Sequence, residues 1–83
     1  MPHERLLKAR KKTIGTKQTI KALERGQARV VYVALNAERH VVEPIVLLAQ
    51  SKGIPVIKVN TMQELGRACG IEVGCASASV TEE

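Results

Sequence analysis

Near the middle of the 83-residue chain stands Val30-Val31-Tyr32-Val33-Ala34-Leu35, an unbroken apolar run rich in β-branched residues. Such a run is typical of a strand covered on both faces, because a strand with one exposed face alternates apolar and polar residues. Residues 54–59 form a similar run and predict the next strand, with Pro55 tolerated at its start. Residues 75–80, which are mostly small, predict a last strand.

The two ends of the chain are predicted to add one helix and one short tail. The first helix is expected from about Pro2 or His3 to Arg10, since proline suits a first helical turn. Residues 13–15 are expected to form an irregular or short extended link to the next helix. Residues 81–83 are expected to fray as a chain end.

A second helix is predicted over residues 16–25, directly after Gly15. Gly15 is expected to be its N-cap, with Gln18 at the N3 position as in a capping box, and Gly26 is expected to end it. The residues predicted to form its buried face are Ile20, Ala22 and Leu23.

Two further helices are predicted between the later strands. After a polar loop at residues 36–40, a helix with Pro44 in its first turn carries an apolar stripe. The stripe consists of Val41, Ile45, Leu48 and Ala49. A capping box, Thr61-Met62-Gln63-Glu64, starts a short helix that Gly70 closes. The alternation of strands and helices therefore predicts one α/β domain over residues 1–83, with helices on both faces of a small sheet.

Composition limits the classes of protein to which the chain can belong. It carries 13 Lys and Arg residues against 8 Glu and no Asp, and its one aromatic residue is Tyr32. The net charge of +5 and the pI near 9.6 favour an acidic partner such as nucleic acid. Folds that stack single-stranded bases on exposed aromatic rings are excluded by the aromatic content. No apolar stretch is long enough to span a membrane and no signal peptide is recognisable, so cytoplasmic residence is expected.

Residues that carry catalytic chemistry are few. Cys69 and Cys75 lie six apart, which fits neither a zinc pair nor a redox CxxC motif, and they are predicted to be small buried free thiols. His3 and His40 lie far from both cysteines in the sequence. No nucleophile, base or metal-ligand set can be assembled. We therefore expect no enzymatic activity, no bound metal and no cofactor.

The strongest candidate for function is the start of the second helix, Ile14-Gly15-Thr16-Lys17-Gln18-Thr19-Ile20-Lys21. A glycine before a helix leaves free N–H groups and the positive end of the helix dipole facing outward. Amides and lysines at such an end hold phosphate, while Gln and Lys offer hydrogen bonds to base edges. The alternative interpretation is an ordinary solvated helix start. A P-loop is excluded, since only the Gly-Thr-Lys part of that motif is present.

Charge is concentrated in residues 1–29, which hold nine basic and two acidic side chains, whereas residues 30–83 hold four basic and six acidic ones. The densest basic run consists of Lys8, Arg10, Lys11 and Lys12. Such a run is either a solvated face or, if the Gly15 end binds RNA, a set of charges that collects phosphates beside it.

A second candidate is the apolar loop Gly70-Ile71-Glu72-Val73-Gly74, which is unusual because loops normally present polar side chains. Two interpretations are open. Ile71 and Val73 either tuck into the core as a strand begins, or form an apolar patch that covers an unstacked base or a partner surface.

Two stretches together carry a resemblance to a known family. Residues 14–26 read IGTKQTIKALERG, and residues 65–76 read LGRACGIEVGCA. With these motifs and a matching element order over nearly the whole chain, the sequence resembles the kink-turn RNA-binding family of the L-seven-Ae ribosomal protein, in particular its short bacterial members. The resemblance implies a three-layer α/β/α sandwich around a small mixed sheet of about four strands.

The same resemblance implies recognition and stabilisation of a kink-turn, a bent RNA helix with tandem sheared G·A pairs beside a three-nucleotide bulge. The helix start would enter the major groove at the G·A pairs, in a groove that the kink opens, and the glycine-flanked loop would pack beside the bulge. The implied partner is structured RNA, such as ribosomal RNA or an mRNA element, and a monomer is expected. The RNA-binding residues so implied are Gly15, Thr16, Lys17, Gln18, Lys21, Ile71, Glu72 and Val73.

Two positions depart from the family pattern, which is commonly Gly-x-Asn-Glu-x-x-Lys. Lys17 stands where Asn is usual and Gln18 where Glu is usual, whereas Gly15 and Lys21 match. These changes predict more attraction to phosphate and less discrimination between bases. The residues leave one alternative function open, a protein-interaction module that docks on a ribonucleoprotein through residues 71–73 without touching RNA.

Overall fold

The computed structural model describes residues 3–83, in which four helices and four strands alternate. In chain order they are α1 (Glu4–Lys8), β1 (Lys11–Ile14), α2 (Thr16–Glu24), β2 (Val30–Ala34), α3 (Arg39–Ser51), β3 (Val56–Val59), α4 (Met62–Cys69) and β4 (Ser77–Glu82). The family resemblance implies about four strands, which is confirmed, whereas the residue patterns alone predict three. The helix start predicted at Pro2 lies outside the described residues.

The four strands form one mixed sheet in the order β1-β4-β2-β3. β4 runs antiparallel to both β1 and β2, whereas β3 runs parallel to β2. All five residues of β2 are buried, as its continuous apolar run predicts. The mixed sheet and the buried β2 therefore match the sequence-based prediction.

Helices cover both faces of the sheet, which confirms the three-layer α/β/α sandwich. Alternate side chains of β2 point to opposite faces. Val30 and Tyr32 pack with Leu6 of α1 and with α4, whereas Val31 and Val33 pack with α2 and α3. Every helix within residues 3–83 is too short or too polar to span a bilayer.

The N-terminal part of the chain differs from the prediction. The first helix ends at Lys8 rather than at Arg10. Thr13 and Ile14, predicted to lie in an irregular or short extended link, belong to a strand, β1, that begins at Lys11. β1 pairs with β4 from Lys11 opposite Glu82 to Ile14 opposite Ala78. The polar sequence of β1 gave no signal, because an edge strand is defined by its partner rather than by an apolar run.

The expectation that residues 81–83 fray is wrong. Thr81 and Glu82 continue β4, in which Glu82 pairs with Lys11 of β1 and Thr81 lies at an irregularity between two paired positions. Glu83 accepts hydrogen bonds from the guanidinium of Arg5, with 2.6 Å between Nη2 and Oε2. The chain end is therefore tied to the first helix.

Several predicted boundaries shift within the body of the fold. α3 begins at Arg39, inside the predicted polar loop, so Pro44 stands in its second turn rather than its first. β3 and β4 each begin two residues later than predicted. In α2 the buried residues are Thr19, Ala22 and Leu23, because Thr19 joins a hydroxyl cluster with Thr13 and Ser79, while Ile20 is only half-buried.

Candidate nucleic-acid interface

One edge of the sheet brings the two candidate motifs together. β4 starts where β1 and β2 end, because it is antiparallel to both, and β3 ends beside β2 because the two are parallel. The same edge therefore holds the start of α2, the segment after β2, the start of α4, and the loop at residues 70–76 that leads into β4. The segments that follow β1, β2 and β3 and the segment that precedes β4 therefore meet at this edge.

The start of α2 is anchored by the backbone of Gly15. Its φ of 97° lies in a region that L side chains rarely adopt, which explains why glycine stands here. The Gly15 N–H donates to the carbonyl of Ser77 at 2.9 Å, and the Gly15 carbonyl accepts from the N–H of Thr19 at 3.1 Å. The N-cap prediction is therefore confirmed.

The capping box predicted with Gln18 is wrong. The Gly15 N–H, which the Gln18 side chain would need to accept, is already bound to the carbonyl of Ser77. In the part of the chain that the structure describes, no side chain caps this helix end. The first-turn amides therefore keep free N–H groups, and the Gln18 side chain stays exposed to solvent.

The electrostatics of this end favour an anion. The first turn of α2 holds no acidic residue, and the positive end of the helix dipole points outward. Lys17 and Lys21 are exposed, and among residues 3–83 no carboxylate lies within 4.0 Å of either ammonium group. Both cations are therefore available to an outside ligand.

The glycine-flanked loop is held against α4 by its backbone. Gly70 ends α4 with a φ of 83°, and the Ile71 N–H returns to the carbonyl of Gly66 at 3.0 Å. The chain then passes over Gly66 so closely that a Cβ there would lie 2.0 Å from the Val73 carbonyl oxygen. The Cys75 N–H finally donates to the carbonyl of Met62 at 3.0 Å. These contacts fix the shape of the loop.

The side chains of the loop divide between the two interpretations of the sequence. Ile71 is half-buried and packs against the core cluster that contains α4. Glu72 is exposed, and Val73 exposes 70% of its surface. Ile71 therefore packs on the core, as the first interpretation expects, whereas Val73 lies on the surface, as the second requires.

Residues 75–77 connect the loop to the start of α2. Ser77 accepts the Gly15 N–H through its carbonyl, and its hydroxyl lies 3.4 Å from the Thr16 hydroxyl. Cys75 is buried beside the same Gly15 backbone. A short, buried connection therefore sets the position of the helix start relative to the loop.

Cys69 and Cys75 are buried free thiols, as predicted. The Cys75 thiol donates to the carbonyl of Ser77 at 2.8 Å. The hydrogen bond to Cys75 and burial together raise the pKa of Cys69. The pKa of Cys75 is lowered, chiefly because it accepts the hydrogen bond from Cys69. Within residues 3–83, no three His, Cys or Glu side chains gather where they could hold a metal ion.

Asn36 has a structural role at this edge that sequence reasoning missed. Its side-chain oxygen accepts the N–H of Met62 at 2.8 Å and so links the end of β2 to the start of α4. The α4 start is further capped by the Thr61 hydroxyl, which accepts from the N–H of Glu64 at 3.0 Å, as predicted. The sequence feature that could have indicated this role is a polar residue directly after the apolar run of residues 30–35.

The basic run does not lie beside the start of α2. Arg10 and Lys11 are at the opposite end of β1, within 4.0 Å of Glu82, and Lys8 lies 3.8 Å from Glu4. Along the strand, Lys11 is about 13 Å from Gly15 at the usual rise per residue. This separation argues against the interpretation in which these cations collect phosphates directly beside Gly15.

The chain is similar over nearly its whole length to known proteins. Residues 3–83 match the sequence pattern that defines the ribosomal protein L7Ae/L30e/S12e/Gadd45 family. The RNA-binding protein YbxF of Geobacillus stearothermophilus is 44% identical over 80 residues, which cover 96% of this chain and 98% of the relative. An RNA-binding protein of Bacillus pumilus is 40% identical over the same shares of both chains.

Solved structures show the same fold. The 15.5 kD RNA-binding protein of Giardia lamblia superposes with a TM-score of 0.83 at 29% identity, covering 98% of this chain and 67% of that protein. A protein of unknown function from Bacillus halodurans superposes with a TM-score of 0.82 at 29% identity, covering 96% of this chain and 80% of that one.

Proposed function

Because the chain belongs to the ribosomal protein L7Ae/L30e/S12e/Gadd45 family, we propose that residues 1–83 form a single RNA-binding domain that recognises and stabilises kink-turns in structured RNA. The similarity to proteins named as RNA-binding, over nearly their full length, supports RNA as the partner. We further propose that the domain acts as a cytoplasmic monomer, without enzymatic activity, metal or cofactor.

The observation that carries this proposal is that two features lie on one edge of the sheet. One is a helix start without a side-chain cap, and the other is an exposed aliphatic side chain. The free amides of α2 and its two unpaired lysines suit RNA phosphates and base edges. Val73 projects from the neighbouring loop and suits the face of an extruded base. Polar and apolar contacts are both needed at a bend where one base leaves the stack.

Each predicted site residue has a distinct part in the proposal. Gly15 and Thr16 shape the helix start, and Lys17, Gln18 and Lys21 contact the RNA. Glu72 and Val73 line the loop surface, whereas Ile71 positions the loop from its half-buried place on the core.

The substitution of Lys17 and Gln18 for the usual Asn and Glu shifts the balance between charge and base contacts. Lys17 adds a cation that no carboxylate within residues 3–83 neutralises. Gln18 keeps an amide oxygen as acceptor but lacks the charge of a carboxylate. We propose that contacts with phosphate contribute more to the RNA affinity of this site than they do with the usual family residues.

Titration with two RNAs tests the proposal. One is a kink-turn with short helices, and the other is the same RNA with its G·A pairs replaced by Watson–Crick pairs. Tighter binding of the kink-turn is expected, and equal affinity for the two would overturn the kink-turn specificity.

Variants locate the binding surface in the same assay. Lys21→Ala and Gln18→Ala are each expected to reduce affinity by about 1–3 kcal/mol. Lys58→Ala, on β3, is the control with the same loss of charge and is expected to bind as the wild type. No binding to either RNA, together with binding to a ribonucleoprotein that depends on Val73 but not on Lys21 or salt, would instead favour a protein-docking module.

A further inference from the structure

Most of the positive charge lies at the end of the sheet opposite to the proposed kink-turn site. We define this basic end by the basic residues at the starts of β1, β2 and β3 and on the helices next to them. They are Arg5, Lys8, Arg10, Lys11, Lys12, Arg25, Arg29 and Lys52. Four carboxylates share this end, namely Glu4, Glu24, Glu82 and Glu83, so it carries a net charge of about +4 out of the total of +5.

The topology fixes this placement. Lys11 pairs with Glu82 at the outer end of β1 and β4, and the Arg29 N–H donates to the carbonyl of Val80 at 2.8 Å on the other side of β4. Arg25 is the C-cap of α2, the helix whose other terminus is the Gly15 end. Cations from separate parts of the sequence therefore meet at one end of the molecule.

Internal ion pairs leave much of this charge available. Glu82 is shared by Arg10 at 4.0 Å and Lys11 at 3.7 Å, so one carboxylate faces two cations. Those two basic side chains remain 79% and 74% exposed, respectively. Among residues 3–83, Arg25 and Arg29 have no carboxylate within 4.0 Å. Pairs this exposed contribute little to stability and are readily exchanged for an outside anion.

We propose that the basic end is a second RNA-binding surface, which holds the phosphate backbone of an RNA helix while the opposite edge holds the kink-turn. A phosphate backbone fits because the groups presented are long, mobile cations from several elements. The core of a protein interface is instead depleted of charge. The two surfaces lie about 15 Å apart along the strands, so they can contact different parts of an RNA at the same time. The kink-turn surface rests on the proposed function, whereas the basic end rests on its own charges.

A capture experiment with the full chain tests this proposal. Immobilised kink-turn RNA with short helices is loaded with protein, and a labelled RNA duplex of about 20 base pairs without a kink-turn is added at low salt. The wild type is expected to capture the duplex. The variant K11Q/R29Q is expected to bind the kink-turn within about twofold of the wild type but to capture no duplex above background.

The matched control is R39Q/K58Q, which removes the same charge from exposed residues outside the basic end. It is expected to capture the duplex as the wild type does. For free protein, the slope of log Kobs against log salt for duplex binding is expected to fall by about 1.5 in K11Q/R29Q and to stay unchanged in K17Q/K21Q. This duplex titration does not require kink-turn binding, so the two proposals can fail separately.

Lengthening the helices of the kink-turn RNA shows whether the basic end holds a helix of that same RNA or of a second RNA molecule. If about ten added base pairs tighten binding for the wild type but not for K11Q/R29Q, the basic end holds a helix of the same RNA. If length has no effect and the separate duplex is captured, it holds a second molecule. The proposal is overturned if neither effect occurs, or if K11Q/R29Q and R39Q/K58Q behave alike.

Discussion

The carbonyl oxygen of Val73 rests directly on Gly66, at a point 2.0 Å from where a Cβ of residue 66 would lie. Gly66 is in the middle of α4, and Val73 is in the loop proposed to face RNA. The contact is between backbone and backbone, so rotation of a side chain cannot relieve an added methyl group. The position of the RNA-facing loop therefore depends on the absence of a side chain at residue 66.

Gly66→Ala is accordingly expected to destabilise the fold and to displace the loop. Overpacking of this kind costs about 1–3 kcal/mol, which exceeds the gain of up to about 1 kcal/mol from replacing a helical glycine by alanine. Urea denaturation would measure the stability change, and kink-turn titration would show a loss of affinity.

Gly26→Ala provides the control for this prediction. Gly26 has a φ of 69°, and apart from Gly26 and its two chain neighbours no atom of the described chain lies within 4 Å of the position that an added methyl group would take, so only backbone strain is added. The expected cost is about 1 kcal/mol, without loss of kink-turn affinity in the folded protein. Equal losses of affinity in both variants would contradict a specific role of the Gly66 contact.

Val73 and Ile71 are expected to respond differently to substitution. Val73→Ser changes a side chain that is 70% exposed, so unfolding free energy should stay within about 0.5 kcal/mol of the wild type. Its affinity for kink-turn RNA is expected to fall several-fold, because the apolar contact with the extruded base is lost. Urea denaturation and RNA titration on the same samples measure the two effects.

Ile71→Ala is the contrasting variant, since Ile71 packs on the core cluster. It is expected to lose about 1–2 kcal/mol of stability, less than a fully buried isoleucine would. A large stability loss in Val73→Ser, or unchanged RNA affinity, would show that Val73 is not a contact residue.

Sequence reasoning identified the elements whose signal is local. The apolar run of β2 predicted a strand covered on both faces, and Gly15 and Thr61 predicted the starts of α2 and α4. These features depend on residues close together in the chain. The same holds for the two buried thiols.

The features that were missed depend on distant partners. β1 is polar and is a strand because β4 pairs with it, and the last residues are ordered for the same reason. Thr19 is buried because its hydroxyl lies 3.1 Å from that of Thr13, a contact that a hydrophobic pattern cannot show. The division of roles between Ile71 and Val73 follows from how the loop crosses Gly66. Such contacts appear only when the elements are assembled.

Lys17→Asn is expected to reduce the salt dependence of kink-turn binding. Lys17 is exposed on the uncapped first turn, so it is placed to neutralise one phosphate. Loss of that contact lowers the slope of log Kobs against log salt by about 0.7–0.9. Titrations between about 50 and 200 mM salt would measure the slope. An unchanged slope would mean that Lys17 contacts no phosphate, and Lys58→Asn, on β3, controls for the change in net charge.

The ion pair between Arg5 and Glu83 predicts a pH-dependent contribution to stability. The hydrogen bond from Arg5 lowers the pKa of Glu83 below its ordinary value of 4.5. A carboxyl group whose pKa is lowered in the folded state stabilises the fold above its unfolded pKa, and this contribution is lost as the pH falls through the folded pKa. Glu83→Gln is therefore expected to lower the urea midpoint at pH 7, and the difference from the wild type is expected to shrink as the pH falls below 4.5.

Glu72→Gln is the matched control for this pH series, because Glu72 is exposed and has no ion pair with any of residues 3–83. It should leave the urea midpoint unchanged at pH 7. The same midpoint for Glu83→Gln and the wild type at pH 7 would show that this pairing does not hold the chain end against α1. A difference that persisted undiminished well below pH 4.5 would instead assign the effect to the shape of the side chain rather than to its charge.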